Sequence, residues 1–183
     1  MKSKIKLNGN VTVTVRNEFG GIKTYRKSVW RQIFGMPAKK MISKHHNTIT
    51  RQGDALIADL MIGTPTQTKV DGTNGYMQLG TGWTGSSAKQ NTRCNTPLSG
   101  FRKLDSGYPK IKASFGNTGD TTVQYRCTFA TGTLNSSGID EVCLLNGSST
   151  SAKSLAYAQI TPAVSVTSTD SLTIEWEITI LGS

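Results

Sequence analysis

Val11, Val13 and Val15 alternate with Thr12, Thr14 and Arg16 in NVTVTVR, the period-2 spacing of a strand that buries one face. The alternation returns near the other end of the chain, where Leu172, Ile174, Trp176, Ile178 and Ile180 interleave with threonines and glutamates in SLTIEWEITIL. In TTVQYRCTFA it places Val123, Tyr125, Cys127 and Phe129 on one face and Gln124, Arg126 and Thr128 on the other. YMQLG, GIDEVCLLN and SLAYAQITP predict further strands, and residues 108–115 a weaker one. After the first strand, EFGG supplies a turn and IKTYRKSVW a return to Trp30, so the chain is expected to open with a hairpin. Residues 34–47 are expected as a basic loop broken at Pro37.

Only TRQGDALIADLMIG carries a helical period. Leu56, Ile57, Leu60 and Met61 form its apolar stripe, Asp54 and Asp59 its polar side, and Thr50 its N-cap, with Gly63 and Pro65 as the stop. The expected helix lies near residues 51–62. A hairpin, one helix and then a run of strands punctuated by turns predict a mainly β fold. Its form would be an antiparallel β-sandwich with one covering α-helix and an N-terminal basic β-hairpin.

Charge divides the chain more sharply than periodicity does. Residues 1–53 hold twelve Lys/Arg and a single acid, Glu18, whereas residues 54–183 hold nine Lys/Arg and ten acids. The whole excess of the formal +10 charge therefore sits in the first third. Two parts are expected, a basic docking arm over residues 1–48 and a sandwich over residues 49–183. The arm would face an anionic partner, either nucleic acid or an acidic protein surface. A lysine-decorated edge hairpin kept soluble by its charge explains the same excess. No run of apolar residues is long enough to span a bilayer, and MKSKIKLNGNVTVTV has no apolar signal-peptide core, so a soluble protein made in a cytoplasm is expected.

The chemistry is sparse. YMQLGTGWTG contains G-x-G-x-x-G after a strand, yet SSAKQNTRCNTP follows it without helical period, so the glycines are expected in turns and not around a dinucleotide. Asp105 lies roughly where a ribose-binding acid would be sought, with no convincing strand before it. His45 and His46 have no acid or cysteine nearby in sequence to complete a metal site, and are expected in the basic loop. Asp140 and Glu141 are neighbours on a strand and should point to opposite faces, while Glu175 and Glu177 share the polar face of the last strand. No nucleophile–histidine–acid set or phosphate loop can be assembled, and no enzyme and no cofactor are expected. Cys94, Cys127 and Cys143 have no C-x-x-C spacing and are expected as free, buried thiols, a Cys127–Cys143 bridge being the alternative. Tyr25-Arg26-Lys27, Trp30-Arg31 and Phe34 interleave aromatics with cations, as a single-strand nucleic-acid binder would.

Four short segments occur in a telling order: TRQGDALIADL, LGTG, TFATGTLN and DSLTIEWEIT, at residues 50–60, 79–82, 128–135 and 170–179. In that order the chain resembles a family of small virion structural proteins of tailed bacteriophages, and the likeness covers about residues 8–181. SSAKQNTRC departs from the alanine- and proline-rich form of that family's loop. The resemblance implies a non-enzymatic building block of the virion, assembled in the host cytoplasm and found in the particle. It would decorate or cement the capsid surface or form a head-fibre base, or else belong to the tail or neck. Its partners would be other virion proteins and sister copies, as a trimer or ring, with no membrane. The implied docking residues are Arg16, Lys23, Arg26, Lys27 and Arg31, with Lys39 and Lys40 in the following loop and Trp30 and Phe34 as anchors. A single-strand nucleic-acid-binding protein is the rival from a different class.

Overall fold

A computed structural model describes residues 6–25, 29–85, 88–112 and 120–181. The protein is mainly β. Its strands are β1 (Lys6–Arg16), β2 (Ile42–Ile49), β3 (Tyr76–Gly80), β4 (Arg102–Lys103), β5 (Lys110–Ile111), β6 (Asp120–Phe129), β7 (Ser136–Leu145), β8 (Ser154–Val166) and β9 (Ser171–Leu181). Two helices, α1 (Val29–Ile33) and α2 (Arg51–Leu60), interrupt them. All pairings are antiparallel, in the order β4-β3-β7-β8-β2-β1-β9-β6-β5.

This curled sheet folds on itself like a sandwich because β2 serves both layers. Ile42 to His46 pair with β1, whereas Asn47 to Ile49 pair with β8. At the switch the Asn47 side chain lies across Gly9, where a β-carbon would come within 1.5 Å of Asn47 Oδ1. Only glycine leaves room for that crossing. Beyond it, Val11, Val13, Ile174, Trp176 and Cys127 from one layer meet Met77, Leu79, Val142, Leu144 and Ala156 from the other. Full burial of an aliphatic side chain of this kind stabilises the fold by about 1.5–3 kcal/mol.

The far ends of the curl are drawn together by residues 102–112. β4 pairs with β3 and β5 pairs with β6, so one short segment spans the gap between the layers. Asp105 fastens it by accepting from Arg126 Nε at 2.8 Å, from the Thr128 amide at 2.9 Å and from the Thr128 hydroxyl at 2.8 Å. The acid considered for a ribose is thus a clasp on β6.

The two outer faces differ. Outside β1, β9 and β6 the register sets Thr14 beside Thr173 and Thr128, then Thr12 beside Glu175 and Arg126. That face is a polar lattice open to solvent. Outside β7 and β8, by contrast, Cys143, Leu145 and Tyr157 are buried in a second apolar cluster under Trp83, Ala88, Cys94 and Phe101. Residues 81–85 and 88–101 form that cover.

Thr50 caps α2 as its sequence predicts: Thr50 Oγ1 accepts from the Gly53 amide at 2.9 Å and donates to the Ser154 carbonyl at 2.5 Å. Gly53 permits close contact with β8, since a β-carbon there would lie 2.0 Å from the Leu155 carbonyl oxygen. Within the apolar stripe, Leu56 is buried while Leu60 and Met61 are exposed.

Several expectations change. The turn after β1 forms, with Asn17 N donating to the Gly21 carbonyl, but the return pairs only at the Arg16–Ile22 bridge and then leaves for α1. The long partners of β1 are β2 and β9. Residues 42–47, expected within a basic loop, begin a strand that runs to Ile49, so β1 and β2 are both part of the sheet, and the described residues between them touch it through Tyr25 and Met41. Of the weak strand expected over 108–115, Lys110–Ile111 form β5, and residues 113–115 lie outside the described residues.

Candidate docking surface

The glycine-rich turn after β3 is closed around the chain's own carboxylates. Glu141 is fully buried and accepts from the amides of Gly82 at 3.1 Å, Asn95 at 3.0 Å and Thr96 at 2.9 Å, and from the Tyr157 hydroxyl. Asp140 accepts from the Trp83 amide at 3.1 Å. A phosphate cradle needs converging amides with an anion among them; here the amides converge and Glu141 is the anion. Gly80 is fitted to this contact, since a β-carbon would lie 2.2 Å from Glu141 Oε1.

Adjacent residues on a regular strand would have pointed Asp140 and Glu141 apart. Irregular register between β7 and β8 at Ile139 and Glu141 lets Ile139 and Val142 both face the core, turning the two acids outward together. Trp83 stacks on Tyr157 with ring centroids 5.0 Å apart, completing the cover. Burial and the neighbouring Glu141 carboxylate push the Tyr157 phenol well up.

All three cysteines are free and buried. Burial raises their pKa values, that of Cys143 to about 12, so the thiols stay protonated at neutral pH. Among the described residues no three His, Cys, Asp or Glu side chains gather as a metal cluster. His45 and His46 lie on β2 and do diverge. Thr161 N donates to His45 Nε2 at 3.0 Å and Ser43 Oγ contacts the same nitrogen, while His46 is exposed.

Residues 17–25 and 29–41 belong to one connection, the arm, whose root is attached to the sheet. Lys23 N donates to the Val15 carbonyl, Met41 N to the Lys23 carbonyl and Tyr25 N to the Lys39 carbonyl, at 2.9, 2.7 and 2.8 Å. Lys23 Nζ meets Asp170 Oδ2 at 2.5 Å. Burial works to raise the Asp170 carboxyl, yet Lys23 and the Thr167 hydroxyl and amide together hold it below its ordinary value. Lys23 therefore anchors the arm to the loop before β9.

Beyond the root the arm is exposed. Arg16 donates to the Gly20 carbonyl at 3.0 Å and Arg31 to the Pro37 carbonyl at 2.8 Å, while Lys39 and Lys40 are solvent-facing. Phe34 is 62% exposed. Arg26 and Lys27 lie outside the described residues, as does the side chain of Trp30, whose backbone is in α1. Arg16 thus lies at the end of β1, Arg31, Phe34, Lys39 and Lys40 lie within residues 29–41, and Lys23 lies where this connection meets the sheet. Sequence reasoning overlooked three more apolar residues there: Phe19, 87% exposed, Ile33, 65% exposed, and the exposed Met36. Their signal was the lack of any period that would have buried them.

At the opposite end of β1 lies a cleft of ≈ 520 Å³ between α2, residues 67–71 and the ends of β1, β6 and β9. Leu7, Ile57, Leu60, Met61, Val123 and Ile180 supply its apolar wall. Met61 is 76% exposed, and Leu60, Ile62 and Ile180 are exposed beside it. Asp71 and Lys69 stand on the lining, and Asp59 is anchored nearby by the amides of Thr66 and Gln67. This cleft too went unread, although the stripe of α2 continues past its last turn into Met61 and Ile62.

No protein-family model, curated protein or solved structure matches this chain.

Proposed function

We propose that this chain is a non-enzymatic structural protein of a bacteriophage virion that docks on a partner virion protein through residues 16–41. Capsid decoration or a head-fibre base is the preferred location, with the tail or neck as the alternative. The observation that carries the reading is the arm: exposed Phe19, Ile33, Phe34 and Met36 among Arg16, Arg31, Lys39 and Lys40, held by a rigid β framework. Aromatic and arginine anchors with a charged rim are the composition of a protein–protein hot spot. Exposed apolar groups of this size contribute little to the fold and favour an apolar partner surface. A partner that receives them must carry acids to match the cations.

Quantitative mass spectrometry of purified particles should find the chain at a fixed ratio to a major virion protein. The double variant Lys39→Glu/Lys40→Glu should be folded and absent from particles. The reading fails if the wild-type chain is absent from particles. It also fails if the chain instead binds single-stranded nucleic acid with steep salt dependence that the double variant abolishes.

A further inference from the structure

The apolar cleft beside α2 is lined in part by side chains that the fold buries. Leu56 of α2, Tyr125 of β6, Leu155 of β8 and Ile178 of β9 all line it, and each is less than a tenth exposed. Leu60, Met61 and Ile180 are exposed at its mouth. Its volume of ≈ 520 Å³ lies within the range of about 300–1,000 Å³ that small-molecule sites occupy. We propose that this cleft binds a small uncharged amphiphile, an aliphatic chain bearing one hydroxyl or carbonyl oxygen, with that oxygen bonded to the Tyr125 hydroxyl. The site is separate from residues 16–41 and does not depend on docking in a virion.

The wall selects the chain. Leu7, Ile57, Val123 and Ile180 are aliphatic, and Tyr125 is the one aromatic ring on the lining among the described residues, so stacking on a flat ligand has little to work with. Tyr125 selects the oxygen. It is 7% exposed, and its hydroxyl makes no hydrogen bond among the described residues, whereas a buried tyrosine hydroxyl usually has a partner. Burial alone pushes its phenol up to about 12, so the group stays protonated and able to donate. An acceptor on the ligand would satisfy it.

Charge selects against ions. Lys69 and Asp71 are the only charged side chains on the lining among the described residues, and they cancel. Asp71 Oδ1 already accepts from the amides of Thr73 and Asn74, at 2.9 and 2.8 Å. An ion entering the cleft would lose hydration without a net counter-charge. A neutral ligand loses only the hydration of one oxygen and replaces it at Tyr125.

Titration of the full chain with N-phenyl-1-naphthylamine, an uncharged dye that brightens in apolar sites, tests this when followed by displacement. The dye should saturate at one per chain. 1-Octanol should displace it, and octanoate and octylammonium should each need more than tenfold higher concentrations. Tyr125→Phe keeps the ring and removes the hydroxyl. It should weaken octanol binding about two- to tenfold, the range of one neutral hydrogen bond. Its urea midpoint should not fall, because an unpaired hydroxyl contributes nothing to the fold. Ile57→Trp fills the cleft and, with a urea midpoint near that of wild type, should bind the dye more than tenfold more weakly. Phe19→Ser/Ile33→Ser, on the arm, should bind it as wild type does. The proposal is overturned if the dye does not saturate at one per chain, if either ion displaces it as well as octanol, or if the arm variant loses it. An octanol affinity unchanged in Tyr125→Phe, or a lowered urea midpoint there, overturns the role of the hydroxyl and the proposal with it.

Discussion

Two long excursions leave the sheet and return to it, residues 81–101 and residues 17–41, and they are satisfied in opposite ways. The first lies flat on β7 and β8. Its amides end on Glu141 and Asp140, and its Trp83, Ala88, Cys94 and Phe101 enclose an apolar cluster of their own. Among its described residues the second is tied at its root through Lys23, Tyr25 and Met41, and its Phe19, Ile33, Phe34 and Met36 are exposed. Both are rich in polar residues and glycine. What separates them is where their apolar side chains sit: Cys94 is buried and Trp83, Ala88 and Phe101 pack against its cluster, whereas Phe19, Ile33 and Met36 are exposed. A segment whose amides end on buried carboxylates and whose apolar groups are covered is a structural part, whereas one with large exposed apolar groups is a candidate for binding.

The sharpest way to break this contrast is at Glu141. Glu141→Gln keeps the shape but removes the charge and turns an NH2 group toward donor amides. It should destabilise the fold by about 2–4 kcal/mol, since hydrogen bonds to a charged group are the strong ones and the amides would be left buried. Urea unfolding at neutral pH measures it. A loss below about 0.5 kcal/mol, within the range of ordinary surface changes, would mean that the cover is held by Trp83 and its neighbours and not by the carboxylate.

At the root of the arm the expected effect is smaller. Lys23→Met retains the aliphatic stem and leaves Asp170 with Thr167 alone. Because Asp170 is nearly buried while Lys23 is partly exposed, the cost should be about 1–2 kcal/mol, between those of buried and surface ion pairs. An unchanged urea midpoint would show that the backbone bonds of Lys23 and Met41 suffice to hold the arm.

Much of the sandwich was legible because β1, β6 and β9 each bury a single face, so burial writes itself into the sequence as strict alternation. Thr50 was equally readable as a cap, because that signal is local. β2 was not: it changes layers between His46 and Asn47, and ISKHHNTI keeps no constant buried face. Residues 81–101 escaped for a different reason. The acids that satisfy the Gly82 and Trp83 amides come 59 and 57 residues later in the chain, and no local pattern reports a partner so distant. The glycines of LGTG gave a partial signal: Gly82 lies past the strand as a turn reading expects, whereas Gly80 is the last residue of β3, paired with Glu141. On the arm, charge identified the region, whereas the apolar residues beside it carried no period and went unread.

A milder perturbation is pH. His45 is held below its ordinary pKa by burial and by His46 nearby, and the Thr161 amide donates to a ring nitrogen that must be unprotonated. Since the folded pKa is depressed, the unfolded chain takes up the proton first as pH falls. The stabilisation is therefore complete above the ordinary histidine value of about 6.5 and is lost as pH drops through it. The urea midpoint should be lower at pH 5 than at pH 7, and His45→Gln should flatten most of that slope. Asp170 contributes loss only at lower pH, as its depressed carboxyl protonates. A slope unchanged in His45→Gln would assign it elsewhere.

The smallest expected effect on stability is the one that separates the two excursions most cleanly. Phe19→Ser and Ile33→Ser replace side chains already in water, so each should move the unfolding free energy by no more than about 0.5 kcal/mol. Loss of an exposed apolar group costs little when folding had buried little of it. The same substitutions should reduce docking far more than tenfold, because a seated anchor residue is commonly worth more than 2 kcal/mol to an interface. Stability and binding would then respond in opposite order on the two excursions, Glu141 dominating the first and Ile33 the second. If Ile33→Ser instead lowers the urea midpoint as Glu141→Gln does, the arm is packed in solution, and residues 17–41 belong with residues 81–101 as part of the fold.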